Sequence, residues 1–134
     1  MNDDCRIWGN TKPIERVNLI YELEKKLDFQ FPIDYKKAVK LVNNGRPRKK
    51  LYYTANENVR GIKQLLSINP SDKETMWSDI RESVSISFVP FASDNFGNHI
   101  CFSRENKHIY FVGHESYVKE YVAANFTEFL KILF

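Results

Sequence analysis

The segment from Phe88 to His114 is the part of the sequence that most restricts the fold. It reads FVPFASDNFGNHICFSRENKHIYFVGH and contains three apolar runs separated by two polar connections. Residues 93–98 are rich in turn-forming types, with Asp94 expected to form an Asx-type turn, and residues 104–107 have hairpin-loop length. We therefore predict a three-stranded antiparallel meander. Because such a sheet needs cover on one face, the flanking segments are expected to supply helices.

Two helical segments precede the meander in the first third of the chain. The first covers residues 14–27 and follows Pro13, a residue that suits the first turn of a helix. Its predicted apolar stripe consists of Val17, Ile20, Leu23 and Leu27. The second begins at Pro32 and ends at residues 44–45, where we expect Gly45 to take the left-handed backbone conformation. Its predicted buried face consists of Tyr35, Ala38, Val39 and Val42.

Two further helices are predicted in the second half. Ser71 or Asp72 is expected to cap a helix that runs to about Arg81. Its apolar side would consist of Met76, Trp77 and Ile80. The last helix begins at Asn125, and Glu128 three residues later completes a capping box. Its predicted core face consists of Phe126, Phe129, Leu130 and Leu133.

Composition excludes several classes of protein. With 134 residues, 43% of them hydrophobic and 14% aromatic, the chain is expected to form one folded domain over residues 1–134. No apolar run approaches the roughly 20 residues of a membrane span, and the polar, acidic start lacks the pattern of a secretory signal. Cys5 and Cys101 are too few for a disulfide framework. We expect a cytoplasmic protein with reduced thiols and no membrane partner.

The sequence offers no convincing catalytic set. His114 and Glu115 are the sharpest pair, but neighbours on a strand point in opposite directions, which favours a polar cap over a general base. His99 and His108 show no metal-ligand spacing, and Cys101 lies between apolar residues, as a core thiol does. Nucleophile-elbow and phosphate-loop motifs are also missing. We therefore expect no catalytic residue, no metal and no cofactor, and predict that the protein is not an enzyme.

Several short motifs, taken in order, resemble the SMI1/KNR4 (SUKH) superfamily. In the second half they are VPFASD at 89–94, GN at 97–98, IYF at 109–111, HE at 114–115 and NFTEFL at 125–130. In the first half they are Trp8, FPIDYK at 31–36 and NNG at 43–45. The resemblance covers nearly the whole chain and implies the SUKH fold. It also favours a structural role for Trp8 over the alternative role of interface anchor.

The remaining segments complete the predicted fold. Residues 51–54 are expected to form a short strand and residues 55–60 a loop. Residues 62–68 suit a helical turn by their pattern, whereas the resemblance implies a strand nearby. Residues 116–124 suit a helix, whereas the resemblance implies irregular chain. The fold class is α+β, with a mostly antiparallel, twisted sheet of four to six strands packed against helices.

The resemblance also implies a function. Bacterial members of the superfamily commonly act as immunity proteins, so we expect this chain to bind and neutralise a cognate toxin domain, often a nuclease. The inhibition would be stoichiometric, by a monomer or weak dimer that performs no chemistry of its own. Fungal relatives act through partners in cell-wall signalling, and a regulatory scaffold is therefore the second hypothesis.

Charge marks two candidate surfaces. Basic residues concentrate between Lys36 and Lys50, where no acidic residue occurs, although the net charge of the chain is only +3. Inhibitors of nucleases are often acidic, so either the target is not a nuclease or the acidic second half makes the contact. The candidate partner-binding residues are Asp72, Glu74, Asp79, Glu82, Arg46, Arg48, Lys49, Lys50, Tyr52 and Tyr53. Basic residues beside aromatic ones also suit single-stranded nucleic acid, which is the third hypothesis. The simplest interpretation of the basic segment is a solvated helix face followed by a solvated loop.

Overall fold

The computed structural model describes residues 8–77, 87–114 and 118–134, which include three α-helices and nine β-strands. The helices are α1 (Leu19–Leu27), α2 (Ile33–Val42) and α3 (Phe126–Ile132). The strands are β1 (Trp8–Gly9), β2 (Arg46–Pro47), β3 (Leu51–Tyr53), β4 (Val59–Gly61), β5 (Gln64–Leu65), β6 (Phe88–Ser93), β7 (His99–Ser103), β8 (Ile109–Val112) and β9 (Lys119–Ala123). Within these ranges no helix is both long and apolar enough to cross a lipid bilayer.

Strands β5 to β9 form a five-stranded antiparallel sheet in which neighbours in sequence are neighbours in space. Its three central strands are the predicted meander. Asp94 closes the first connection by accepting hydrogen bonds from the backbone N–H groups of Phe96 and Asn98, at 2.8 and 2.9 Å, which confirms the Asx-type turn. Two short antiparallel pairs, β1 with β2 and β3 with β4, flank this sheet. The predicted α+β fold class is confirmed.

The core lies between one face of the large sheet and the helices, and it is rich in aromatic rings. Phe91 of β6 and Phe102 of β7 stack with their ring centroids 4.5 Å apart. Tyr35 of α2 meets Phe102 and Phe126 edge to face, at 5.3 and 5.4 Å. All the residues predicted as the buried faces of α2 and α3 are buried. The Asn125 side chain accepts from the Glu128 N–H at 2.8 Å, which confirms the predicted start of α3.

Helix α1 is shorter than predicted because side chains from elsewhere in the chain bind the segment before it. The helix begins at Leu19, and Val17, predicted to be apolar core, is 94% exposed. The Asn43 side-chain amide donates to the Lys12 carbonyl at 2.9 Å, and the Asn69 side-chain amide donates to the Pro13 carbonyl at 2.8 Å. Since these tertiary bonds satisfy the backbone groups, residues 12–15 do not need a helix.

The prediction of a helix from Ser71 is wrong over residues 71–77, the part of it that the structure describes. Residues 71–77 form turns, and Thr75 makes a parallel bridge with Ser67. The Ser67 hydroxyl donates to the Asp72 carboxylate at 2.6 Å, and the Thr75 hydroxyl donates to the Ser67 carbonyl at 3.1 Å. These local bonds favour a folded loop over a helix. The rest of the predicted helix, with Ile80 and Arg81, lies outside the described residues.

Three other segments adopt strands where the pattern was weak or ambiguous. Residues 59 and 60, the end of the predicted loop, belong to β4, which pairs with β3 in a hairpin. Residues 64–65 form β5, which agrees with the strand implied near 62–68. Residues 119–123, for which a helix or irregular chain was expected, form the edge strand β9.

The end of α2 places its left-handed residue one position earlier than predicted. Asn44 has φ 61°, whereas Gly45 is needed for a different reason. A Cβ atom on Gly45 would lie 2.7 Å from the Val42 carbonyl oxygen and 3.1 Å from the ring of Trp8, which is buried as the structural role requires. Gly45 therefore permits the close approach of β1 to the end of α2.

Gly45→Ala is expected to destabilise the protein by about 1–3 kcal/mol, because the added methyl group must displace backbone or the Trp8 ring. Urea denaturation at pH 7 measures the change. Gly9→Ala is the matched control, since its nearest atom would be the Arg46 carbonyl oxygen at 4.0 Å. Equal stability of the two variants would show that β1 is not tightly packed against the end of α2 at Gly45.

Candidate partner-binding surface

The structure brings the basic and acidic candidates together at two adjoining grooves. The charged groove has a volume of about 550 Å³. Its charged lining consists of Lys12, Arg46, Asp72, Lys73 and Glu74. The basic groove has a volume of about 450 Å³. Its lining includes Trp8, Arg46, Pro47, Arg48 and Lys50. Asn10 and Arg46 line both grooves, so the two grooves adjoin beside β1 and β2.

The two described acidic candidates are already engaged within the chain. The Glu74 carboxylate lies 2.7 Å from Lys63 Nζ and accepts from the Ser93 hydroxyl at 2.9 Å. Burial opposes ionisation of Glu74, but hydrogen bonds from Lys63 and Ser93 outweigh it and hold its pKa below the usual range. Asp72 accepts from Ser67 and Asn69, so it braces the loop that carries it. Asp79 and Glu82 lie outside the described residues.

The basic candidates are on the surface. Arg46, Arg48, Lys49 and Lys50 are all exposed, with Arg46 in β2 and the other three on the segment that leads into β3. Their side chains are therefore available to a negatively charged partner, in contrast to the engaged carboxylates of the charged groove.

The two candidate tyrosines have opposite environments, because neighbouring residues of a strand face opposite ways. Tyr52 is fully buried, with its ring 5.4 Å from that of Phe129, and burial raises the pKa of its hydroxyl. It is a core residue and is not available to a partner in this conformation. Tyr53 is exposed and stacks on Phe134, with the ring centroids 5.2 Å apart.

Sequence reasoning missed three exposed apolar residues beside Tyr53. They are Leu51, Val59 and Phe134. We name these three residues and Tyr53 the hairpin patch, since three of the four lie on the β3–β4 hairpin. The signal available in the sequence was the apolar content of residues 51–53 together with the expected alternation of a strand. Nothing local in the sequence indicates that Phe134 lies against β3.

The residues considered as catalytic candidates, His114 and Cys101, lie where their side chains serve the fold. The backbone N–H and the ring Nδ1 of His114 lie 3.1 and 3.0 Å from the Asn98 side-chain oxygen, which ties the end of β8 to the β6–β7 turn. Glu115 lies outside the described residues. Cys101 is fully buried, and burial raises the pKa of its thiol, which disfavours the reactive thiolate. Among residues 8–77, 87–114 and 118–134, no cluster of three or more His, Cys, Asp or Glu side chains is placed to hold a metal ion.

Comparison with known protein families gives a match over much of the chain. The family model described as SMI1-KNR4 cell-wall, of the SUKH group, matches residues 18–130, which is most of the chain. Comparison with the curated proteins gives no match. The match includes α1, α2, the five-stranded sheet and most of α3. The chain therefore belongs to the SMI1-KNR4 (SUKH) family.

Proposed function

We propose that this protein is an immunity protein that binds a cognate bacterial toxin domain and neutralises it by stoichiometric inhibition. The observation that carries the proposal is the family match over residues 18–130, since the family includes immunity proteins and generally binds toxin partners. Such an inhibitor covers the active site or an essential surface of the toxin. It needs no catalytic residue of its own, in keeping with the non-catalytic character of the family.

We place the contact at the basic groove. The carboxylates of Asp72 and Glu74 are held by internal hydrogen bonds, whereas Arg46, Arg48 and Lys50 are exposed. Exposed charge of one sign steers an oppositely charged partner and raises the association rate. The surface of the toxin that meets this protein would then be acidic, so the bound region is not the basic nucleic-acid cleft of a nuclease.

Domain organisation and location follow from the same proposal. One hydrophobic cluster includes residues from Trp8 to Leu133, which supports a single domain over residues 1–134. The buried free thiol of Cys101 suits a reducing compartment, and we place the protein in the cytoplasm. We propose a monomer or weak dimer that forms a one-to-one complex.

Nucleic-acid binding is less well supported than protein binding. That hypothesis relied on the basic segment together with Tyr52 and Tyr53 as stacking platforms. Tyr52 is fully buried, and one face of the Tyr53 ring is covered by Phe134. The basic groove thus offers charge with little free aromatic surface.

Co-expression tests the function directly. The toxin domain encoded beside this gene is expressed with and without this protein, and cell survival and co-purification are measured. We expect survival together with a one-to-one complex. Cell death and separate elution of the two proteins would reject the pairing.

Charge reversal tests the location of the contact. Arg48→Glu/Lys50→Glu is expected to slow association with the toxin domain by about tenfold at low salt, and less at high salt, because screening weakens steering. Stopped-flow fluorescence measures the rate. The matched control is Lys37→Glu/Lys40→Glu, which makes the same change in net charge on the exposed side of α2. If both pairs slow association equally, net charge rather than the basic groove controls it.

A further inference from the structure

Four apolar side chains lie exposed together in the hairpin patch. Leu51, Tyr53, Val59 and Phe134 are each 43–57% exposed. Tyr53 and Val59 are direct partners across the hairpin, so their side chains lie on the same face. Phe134 joins them because its backbone exchanges hydrogen bonds with Leu51, at 2.8 and 3.1 Å, and its ring stacks on Tyr53 with an interplanar angle of 21°.

Core packing and hydrogen bonds to β9 hold the hairpin patch in place. Between Leu51 and Tyr53, the Tyr52 side chain points the other way into the core. The Ala55 N–H donates to the Tyr121 carbonyl of β9 at 2.8 Å, and Arg60 Nε lies 3.0 Å from a carboxylate oxygen of Glu120. The hairpin is therefore fixed to β9 of the large sheet from its turn and from β4. A surface whose side chains are already ordered loses less conformational entropy when a partner binds.

Positive charge borders the patch on one side. Arg48, Lys49 and Lys50 directly precede Leu51, and all three are exposed. Glu57 lies in the turn at the far end of the hairpin. Aromatic residues and Arg are enriched in protein interfaces, and the rim around an apolar centre is polar, so Tyr53 and Phe134 beside Arg48 and the two lysines fit this arrangement.

We infer that the hairpin patch is the docking site for the toxin domain, whose matching surface has an apolar centre and an acidic border. This inference rests on the proposed function and extends the contact from the basic groove to an apolar centre, so the partner needs an apolar area as well as acidic residues. Tyr53 and Phe134 are the central anchors, because their stacked rings offer the largest rigid apolar area. Arg48, Lys49 and Lys50 orient the acidic border of the partner.

Two other occupants fit the patch less well. Within the hairpin, a second copy of this chain offers only Glu57 as an acidic match for Arg48, Lys49 and Lys50, so it complements the basic border poorly. Single-stranded nucleic acid needs free ring faces for stacking, whereas Leu51 and Val59 have no ring and the two aromatic residues cover one face of each other.

Serine substitutions of the two anchors test the docking site. The dissociation constant of the purified toxin domain is measured by isothermal titration calorimetry against wild type, Tyr53→Ser and Phe134→Ser. We expect binding to weaken by about 30-fold for each variant, as for a central anchor. Tyr21→Ser is the matched control, because Tyr21 is at least as exposed as the two anchors but lies on α1. Its affinity is expected to equal that of the wild type.

A second type of variant tests the docking site in case the serine substitutions impair folding. Val59→Glu keeps both aromatic anchors and adds a negative charge that opposes an acidic partner. We expect it to weaken binding at least tenfold, with a larger effect at low salt. Thermal unfolding of all variants, followed by circular dichroism, identifies any that lose structure.

The outcomes separate this inference from the proposed function. If the wild type binds the toxin domain and the folded Tyr53, Phe134 and Val59 variants bind equally well, the docking site is wrong and the function stands. A wild type that binds no toxin overturns the function and this occupant together. Sedimentation that shows a wild-type dimer abolished by Tyr53→Ser would assign the patch to a second copy. Patch-dependent binding of a single-stranded oligonucleotide would assign it to nucleic acid.

Discussion

Phe102→Ala is expected to lower the free energy of unfolding by about 4 kcal/mol, the largest effect of any single substitution considered for this protein. Phe102 is fully buried in β7, and its ring lies against those of Phe91, Tyr35 and Phe29, with centroids 4.5, 5.3 and 6.0 Å away. Truncation removes these contacts and leaves a cavity between the sheet and the helices. Urea denaturation followed by circular dichroism measures the change. Since small domains are stable by only about 5–15 kcal/mol, a detectable unfolded fraction is expected at moderate temperature.

Phe96→Ala is the matched control for Phe102→Ala. Phe96 has the same side chain in the same meander, but it is exposed in the β6–β7 turn. Its truncation is expected to change stability by less than about 0.5 kcal/mol. A difference between the two variants below about 1 kcal/mol would mean that the face of β7 that carries Phe102 is not the packed side of the sheet.

The meander was predictable because its signals are local. Apolar runs of strand length are separated by turn residues, and Asp94 makes its turn through hydrogen bonds to residues only two and four positions away. The start of α1 was not predictable in this way. The amides that bind residues 12–15 belong to Asn43 and Asn69, far along the chain, and no local pattern reveals them.

The candidate surface was predictable only in part. The basic segment is visible in the sequence, and its residues are exposed. Which of Tyr52 and Tyr53 is buried depends on which face of β3 meets the core. A three-residue strand carries too little pattern to decide that. Phe134 became part of the surface through its backbone bonds to Leu51, a contact between distant parts of the chain. The ion pair between Glu74 and Lys63 likewise depends on the fold, because the distance between the two residues in the sequence does not indicate it.

Glu120→Ala is expected to destabilise the protein by about 3 kcal/mol at pH 7. The buried Glu120 carboxylate accepts from Arg60 Nε at 3.0 Å and from the Asn58 amide, so it joins β9 to the β3–β4 hairpin. Its removal leaves Arg60 beside the Phe111 ring with no carboxylate in contact at this position. The expected cost is at the lower end for a buried ion pair, because the Arg60 side chain stays 30% exposed. Urea denaturation measures it, and hydrogen exchange should show faster exchange of the hairpin amides.

The effect of Glu120→Ala should also depend on pH with a definite sign. Burial opposes ionisation of Glu120, but hydrogen bonds from Arg60 and Asn58 outweigh it and hold the pKa of Glu120 below its usual range. A carboxyl group whose pKa is lower in the folded state stabilises that state above its unfolded pKa of about 4.3, and this contribution is lost as the pH falls through the folded pKa. The stability difference between wild type and Glu120→Ala should therefore be constant above about pH 5 and shrink below about pH 4.

Glu128→Ala is the control for both parts of this prediction. Glu128 forms an exposed pair with Lys131 at 3.4 Å, and its removal should cost less than about 1 kcal/mol. The two variants thus compare a buried carboxylate that joins two parts of the fold with an exposed one on a single helix. If Glu120→Ala costs no more than Glu128→Ala, or if its effect grows as the pH falls, the hairpin is not held by an ionised Glu120. The support assigned to the hairpin patch would then have to come from the hydrogen bond between Ala55 and Tyr121 and from the core packing of Tyr52.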